Sequence, residues 1–205
     1  MVSIGIAGRS GSGKTRVAAE LARLSPRAGV LATDSYYHDL SALTPAARGA
    51  VNFDAPAALD WELLIEHLSR LHTGVSVPVP HYDFATHTRM PETVPLAPGG
   101  LLVLEGLFAL FDQRVRAMLN LTVFLDLDED EGLRRRIERD TGSRRRTEAF
   151  VRSQWERDVA PMYALHVLPT KSYADLVLDG ASSPADSARA ILSAVESLAT
   201  AFEQR

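Results

Sequence analysis

The chain has no cysteine, which excludes disulfides, thiol catalysis and thiolate metal sites. It has no long hydrophobic run. The longest, from Leu101 to Phe111, carries Glu105 and is too short to cross a bilayer. It has no excess of positive charge: 22 Lys and Arg stand against 26 Asp and Glu, a net charge of −4. That balance argues against general nucleic-acid binding. There is no internal repeat, no low-complexity stretch and no N-K-x-D string of the kind that reads guanine. The chain opens on an apolar run with neither a basic leader nor a cleavage signal, so a cytoplasmic location without membrane contact is expected. What remains is 205 residues, 46% hydrophobic and 23% charged, enough for one domain spanning residues 1–205 with a full core.

The richest stretch is Gly8-Arg9-Ser10-Gly11-Ser12-Gly13-Lys14-Thr15. It follows the apolar run 2–7 and precedes a helical pattern through Val17, Leu21 and Leu24. Strand, glycine loop and helix together make G-x-x-x-x-G-K-[ST] a phosphate site. The glycines let successive N–H groups turn inward onto phosphate oxygens, and the helix adds its positive end. Lys14 reaches the β- and γ-phosphates, and the Thr15 hydroxyl can hold Mg²⁺. A Gly/Ser-rich linker would seldom carry the lysine and both flanking elements.

Further along, 30–33, 101–104 and 121–125 read as buried strands, 174–178 as a last strand, and 61–71, 129–140, 148–166 and 184–198 as helices, the third interrupted at Pro161. Strands alternating with helices predict an α/β fold, a central parallel sheet with crossover helices. Val75, Val77 and Val79 alternate with Ser76, Pro78 and Pro80, which predicts a small β-hairpin over about 75–95. Within 129–140, Leu133 and Ile137 form the expected core stripe. Arg136 and Arg139 lie beside it and turn toward the body of the protein.

Ligands of open parallel sheets gather at the carboxyl ends of the strands. Asp34, Glu105 and Asp126 each fall at such an end. Glu105 closes an apolar strand and precedes Gly106, the setting of a carboxylate serving Mg²⁺. Asp34 stands where an acceptor hydroxyl would meet the γ-phosphate and give up its proton. Asp126 reads as a turn former.

Several segments then align with one family. Asp34-Ser35-Tyr36-Tyr37, Asn52-Phe53-Asp54-Ala55-Pro56 and Pro80-His81-Tyr82-Asp83-Phe84 with His87 and Arg89 are similar in order and spacing to the uridine–cytidine kinases. Leu102 to Gly106, Arg135 to Asp140, Gln154 and Pro169 to Asp175 continue the match to about Gly180. The resemblance implies a P-loop kinase-type three-layer fold, with the hairpin over the nucleoside site and a helical lid over about 129–160. It implies a catalytic centre of Asp34 as base with Lys14, Arg139 and Arg144 on the triphosphate. Gly8, Ser10, Gly11, Ser12, Gly13, Lys14 and Thr15 would cradle ATP, or GTP. Thr15, Glu105 and Asp34 would hold Mg²⁺. Tyr37 would belong to the sugar pocket and Asp54 would accept from the ribose diol. Arg136 and Gln154 would close over the sugar, Tyr82 and His87 would read the pyrimidine edge, Phe53 and Phe84 would face the ring, and Arg146 would lie near the base.

The resemblance further implies phosphorylation of the 5′-hydroxyl of uridine or cytidine in pyrimidine salvage, a homo-oligomer, and no nucleic-acid or membrane partner. This chain departs from the family at Arg145 and Thr147, where Gly and Asp are usual, at Ala55 for His, and at His38 for Lys or Arg. A kinase of pantothenate, phosphoribulose or a nicotinamide nucleoside is the neighbouring reading. A nucleotide-dependent binding switch is the reading from another class.

Overall fold

In the computed structural model, which describes residues 1–142 and 144–203, the chain begins with β1 (Val2–Gly8), α1 (Lys14–Leu24) and β2 (Ala28–Ala32). The short α2 (Pro45–Gly49) and the longer α3 (Trp61–His72) precede β3 (Val77–Asp83), β4 (Thr88–Leu96) and β5 (Leu101–Glu105). Then come α4 (Gln113–Arg116), β6 (Leu121–Asp126), α5 (Glu129–Gly142), α6 (Glu148–Gln154), α7 (Ala160–Met162), β7 (Leu176–Asp179) and α8 (Pro184–Glu203).

Five strands pair in the order β2-β5-β1-β6-β7, all parallel. The central strands are covered on both faces, so they read as near-continuous apolar runs; every residue of β5 is buried, whereas the edge strands β2 and β7 alternate, and Val30, expected to be buried, is exposed with Val177 because no strand lies beyond them. On one face, Val17, Ala18 and Leu21 of α1 and Ala188 and Ile191 of α8 cover Ile4, Ile6, Val103 and Val123. On the other, Leu64, Leu68 and Leu71 of α3, with Phe108, Leu110, Tyr163 and Val167, cover Ala7, Leu31, Leu104 and Phe124. Each such aliphatic side chain contributes roughly 1.5–3 kcal/mol by leaving water. Helix α3 starts where Asp60 accepts from the Leu63 N–H, as its capping position predicts.

The predicted hairpin forms as a separate two-stranded sheet of β3 and β4. Its prolines are tolerated because the pair is isolated and one register shift falls between Pro80 and Tyr82. Arg89 ties it down: its guanidinium donates to the carbonyls of Tyr37 (2.8 Å) and Tyr36 (3.2 Å) and to Asp60 (3.1 Å).

Two further expectations change. Leu133 and Ile137 are only half-buried, and the buried face of α5 is Gly132, Arg136 and Asp140. The helix lies on the glycine loop and not on an apolar layer, so its inward stripe is polar. At Pro161 the backbone stays helical. Two π-type turns, Trp155–Val159 and Tyr163–Val167, flank α7. The wider turn accommodates a residue with no N–H to donate and a ring that would press on the preceding turn. Among the described residues, no helix is long and apolar enough to cross a membrane.

Candidate active site

The sheet order places the ends of β2, β5 and β1 side by side, so Asp34, Glu105 and the glycine loop converge. Gly11 and Gly13 adopt φ of 85° and 91°, conformations that favour glycine. A Cβ on Gly11 would also lie 2.8 Å from the Gly132 carbonyl of α5. The Lys14 ammonium donates to the carbonyls of Gly8 and Arg9, each at 2.9 Å. Burial lowers its pKa, against the pull of Glu105 and Asp34. Thr15 donates its hydroxyl to Glu105 Oε1 at 3.0 Å.

Burial raises the pKa of both Glu105 and Asp34; Lys14 works against this at each, and Arg144 and Arg139 do so at Asp34. Two acids, Glu105 buried and Asp34 half-buried, whose charged forms are disfavoured, beside a hydroxyl and an ammonium, suit a bound cation. Among the described residues no three His, Cys, Asp or Glu side chains gather as a full metal cage. Mg²⁺ bound through a few protein oxygens and phosphate oxygens needs none.

From this end a cavity of about 1070 Å³ runs toward the hairpin. Ser10, Gly11, Gly13, Lys14, Thr15, Asp34 and Glu105 line its first part. Tyr37, Phe53, Asp54, Tyr82, Phe84 and His87 line its far part, and Arg136, Arg139, Arg144, Arg146 and Gln154 close over it. Gly8 and Ser12 stand behind the loop, off the cavity wall. A Cβ on Gly8, at φ 147°, would run into the Leu125 carbonyl and Ser12 Oγ.

The far part is aromatic. The Phe53 ring meets Tyr37 edge-on with centroids 5.3 Å apart, and Tyr37 donates its hydroxyl to the Phe53 carbonyl at 3.0 Å. Tyr82 tilts against Tyr37 at 5.3 Å and meets Phe84 edge-on at 5.4 Å. Tyr82 Oη and His87 Nδ1 are buried without a hydrogen-bond partner. Burial pushes the Tyr82 phenol up to about 12, so it remains a donor. Burial and Arg146 lower the His87 pKa, favouring the neutral imidazole.

Between the two ends sits Asp54, 8% exposed. Burial raises its pKa, and Arg136, 3.8 Å away, opposes that. Arg136 donates to Ser10 Oγ (3.2 Å) and to Gln154 Oε1 (3.0 Å), and Arg146 reaches the same Gln154 oxygen at 3.2 Å.

Sequence reasoning missed four features. Asp140, unexposed at 0%, lies inside the arginine cluster. Gly132 lets α5 touch the loop: a Cβ there would lie 2.7 Å from Arg9 Cδ and 3.1 Å from the Ser10 carbonyl. Arg9 lies over the Tyr163 ring at 3.9 Å, joining the loop to the second π-type turn. Asp158, on the first, lines the cavity. The departures from helical and apolar periodicity were the available signals. Asp126, read as a turn former, pairs with Lys171 at 2.6 Å.

A parallel α/β sheet carrying a phosphate loop, with acids at two neighbouring strand ends and arginines closing a deep cavity, defines a P-loop kinase. The profile of the Phosphoribulokinase / Uridine kinase family matches residues 3–185, and the chain belongs to that family. It is 44% identical over 186 residues to a protein named uridine kinase from Deinococcus deserti, covering 89% of this chain and 90% of that one. It is 40% identical over 183 residues to the uridine kinase of Escherichia coli K12, covering 86% of each. Among solved structures, phosphoribulokinase from Rhodobacter spheroides superposes with a TM-score of 0.61 at 16% identity, covering 90% of this chain and 73% of that one. A D-glycerate 3-kinase from Cryptococcus neoformans gives 0.63 at 16%, covering 80% and 78%. These last two likenesses concern the fold alone.

Proposed function

We propose that the protein transfers the γ-phosphoryl group of ATP, or GTP, to the 5′-hydroxyl of a pyrimidine ribonucleoside, uridine or cytidine, giving the monophosphate and the nucleoside diphosphate. The observation that carries this is the composition of the cavity wall: phosphate loop, buried carboxylate and aromatic niche follow one another in the order phosphate, sugar, base. A sugar phosphate or pantothenate has no base for Tyr82, Phe53 and His87 to meet, and a binding switch has no use for Asp54. The arginine run is engaged internally: Arg134 with Glu131 and Glu138, Arg135 with Glu131, Arg136 with Asp54 and Asp140. That supports the absence of a nucleic-acid partner.

In this reading the hydroxyl oxygen bonds to the γ-phosphorus while the bond from that phosphorus to the bridging oxygen breaks. Asp34 orients the hydroxyl and takes its proton. Lys14 leaves the Gly8 and Arg9 carbonyls for phosphate oxygens, and Arg139 and Arg144 meet the charge that spreads over the transferred group. Thr15 and Glu105, with Asp34, would hold Mg²⁺, which neutralises phosphate charge when bound. Asp54 accepts from the ribose hydroxyls, a charge-assisted bond. Arg136 stands by that carboxylate and, with Gln154, closes over the sugar, with Arg146 toward the base. Tyr82 Oη and His87 meet the base edge and Phe53 and Phe84 its faces. Residues 129–160 act as the lid and 75–95 as the base hairpin of one kinase domain. A homo-oligomer working in cytoplasmic pyrimidine salvage completes the proposal.

The test is product analysis with ATP or GTP, Mg²⁺ and a panel of nucleosides, their 2′-deoxy analogues, pantothenate, ribulose phosphate and nicotinamide riboside. Uridine or cytidine monophosphate is the expected product, with the 2′-deoxy substrates poorer. Another phosphorylated acceptor, or phosphate release with no acceptor used, overturns the assignment.

A further inference from the structure

The arginines over the cavity do not stand independently. They converge on Asp140, an acid with no exposed surface. Its Oδ1 receives Arg139 Nε at 2.7 Å and lies 3.5 Å from Arg144. Its Oδ2 lies 3.5 Å from Arg146 and 3.7 Å from Arg136 Nε. The Asp140 carbonyl also accepts from the Arg146 N–H at 3.1 Å. The two pairs bridge the cavity. Arg139 and Arg144, on Oδ1, both lower the pKa of Asp34 at the phosphate end, and Arg144 also lies over the Phe84 ring at 5.5 Å. The Oδ2 pair faces the sugar, where both meet Gln154 and Arg136 stands 3.8 Å from Asp54.

We propose that Asp140 is the positioning residue that ties the phosphate-side arginines to the nucleoside-side arginines, so that one buried anion aligns donor and acceptor together. This rests on the nucleoside kinase reading above. Asp140 itself lines no part of the cavity. Burial works to neutralise its carboxyl, but the hydrogen bond from Arg139 and the charges of Arg139, Arg144 and Arg136 hold it below the ordinary range, as an anion. Four arginines gathered at one cavity repel one another, and a shared carboxylate offsets that. When phosphate enters, Arg139 and Arg144 can turn to it while Oδ2 keeps Arg136 and Arg146 set on the sugar. A geometry error of about 1 Å in such groups is enough to lower turnover about 10²-fold.

The experiment compares wild type, Asp140→Asn and Asp140→Glu in steady-state kinetics with the nucleoside the wild type uses, alongside thermal melts. Asp140→Asn keeps shape and hydrogen-bonding capacity but loses the charge. It should lower kcat about 30-fold or more, with both KM values within about threefold, the mark of alignment lost without binding lost. Asp140→Glu keeps the charge one methylene further out and should lie between, with kcat down about tenfold. If Asp140→Asn does not fold, Asp140→Glu carries the test alone. A folded variant with kcat within about threefold of wild type, or one whose loss is all in KM, overturns this inference and leaves the kinase reading standing. A wild type that phosphorylates no nucleoside overturns both.

Discussion

The imidazole of His87 lies flat on the ring of Phe53, centroids 4.4 Å apart and planes 13° from parallel. The stack is set by backbone: His87 holds φ 56° at the tip of the hairpin, and its N–H donates to the Asp83 carbonyl at 2.9 Å. A neutral imidazole has one donor and one acceptor nitrogen, so it can meet a 4-oxo or a 4-amino group. Replacing His87 by Gln should shift the uridine-to-cytidine ratio of kcat/KM by about fivefold or more, since a lost edge contact discriminates more than a lost wall. The KM for ATP should stay within about twofold. Paired kinetics on the two nucleosides check this.

Asp34 must be ionised to take a proton, and burial raises its pKa, with Lys14 opposing first and Arg144 and Arg139 after it. The rate should therefore fall as pH is lowered through that raised pKa, at a pH above the ordinary aspartate value of about 3.9. Asp34→Asn should lower turnover at least ~10²-fold and abolish that limb. A pH–rate profile of kcat/KM on both proteins reads it.

Glu105 is also held above its ordinary pKa, by burial first. A carboxyl that binds its proton more tightly folded than unfolded adds stability as pH falls. Above the folded pKa it stands as a penalty. At pH 7.5, Glu105→Gln should raise the melting temperature of the nucleotide-free protein by roughly 2–4 °C per kcal/mol recovered. The gain should shrink as pH falls through the raised pKa. The same change should lower turnover roughly 10²-fold or more by removing the proposed Mg²⁺ ligand. Melts at several pH values with parallel assays test both.

Gly132→Ala should push α5 off the glycine loop, because the added methyl would meet Arg9 and the Ser10 carbonyl. The KM for ATP should rise about tenfold with the nucleoside KM little changed, the pattern of a disturbed donor side. Titration with a non-hydrolysable ATP analogue provides the binding check.

Arg145 is exposed and adopts φ 53°, a conformation that strains an L side chain. Arg145→Gly should raise stability by about 0.5–1 kcal/mol, the left-handed penalty relieved less the entropy glycine adds to the unfolded chain. Activity should hold, because Arg144 and Arg146, not Arg145, turn toward Asp140.

The centre of the sheet was legible because its strands obey simple rules: the four residues 101–104 of β5 read as buried on both faces and are so. The phosphate loop was legible because its glycines, lysine and flanking elements form one pattern. Asp140, Gly132 and the π-type turns were not legible from pattern alone. Periodicity assumes that buried means apolar, and α5 buries Gly132, Arg136 and Asp140 while leaving Leu133 and Ile137 half out. Spacing places Arg136 and Arg144 four residues either side of Asp140, but only the fold turns Arg139 and Arg146 onto the same carboxylate. Arg89 was quoted only as part of a motif, yet its guanidinium fastens the hairpin to the backbone after β2.

The chain contains only two lysines, Lys14 and Lys171. Lys171 is bound to Asp126, which raises its pKa, whereas burial lowers that of Lys14. Of the two, Lys14 is the one that lines the cavity. A lysine-acylating nucleotide reagent should attach once per chain, inside the phosphate loop, and its stoichiometry by mass spectrometry would count intact nucleotide sites in a preparation.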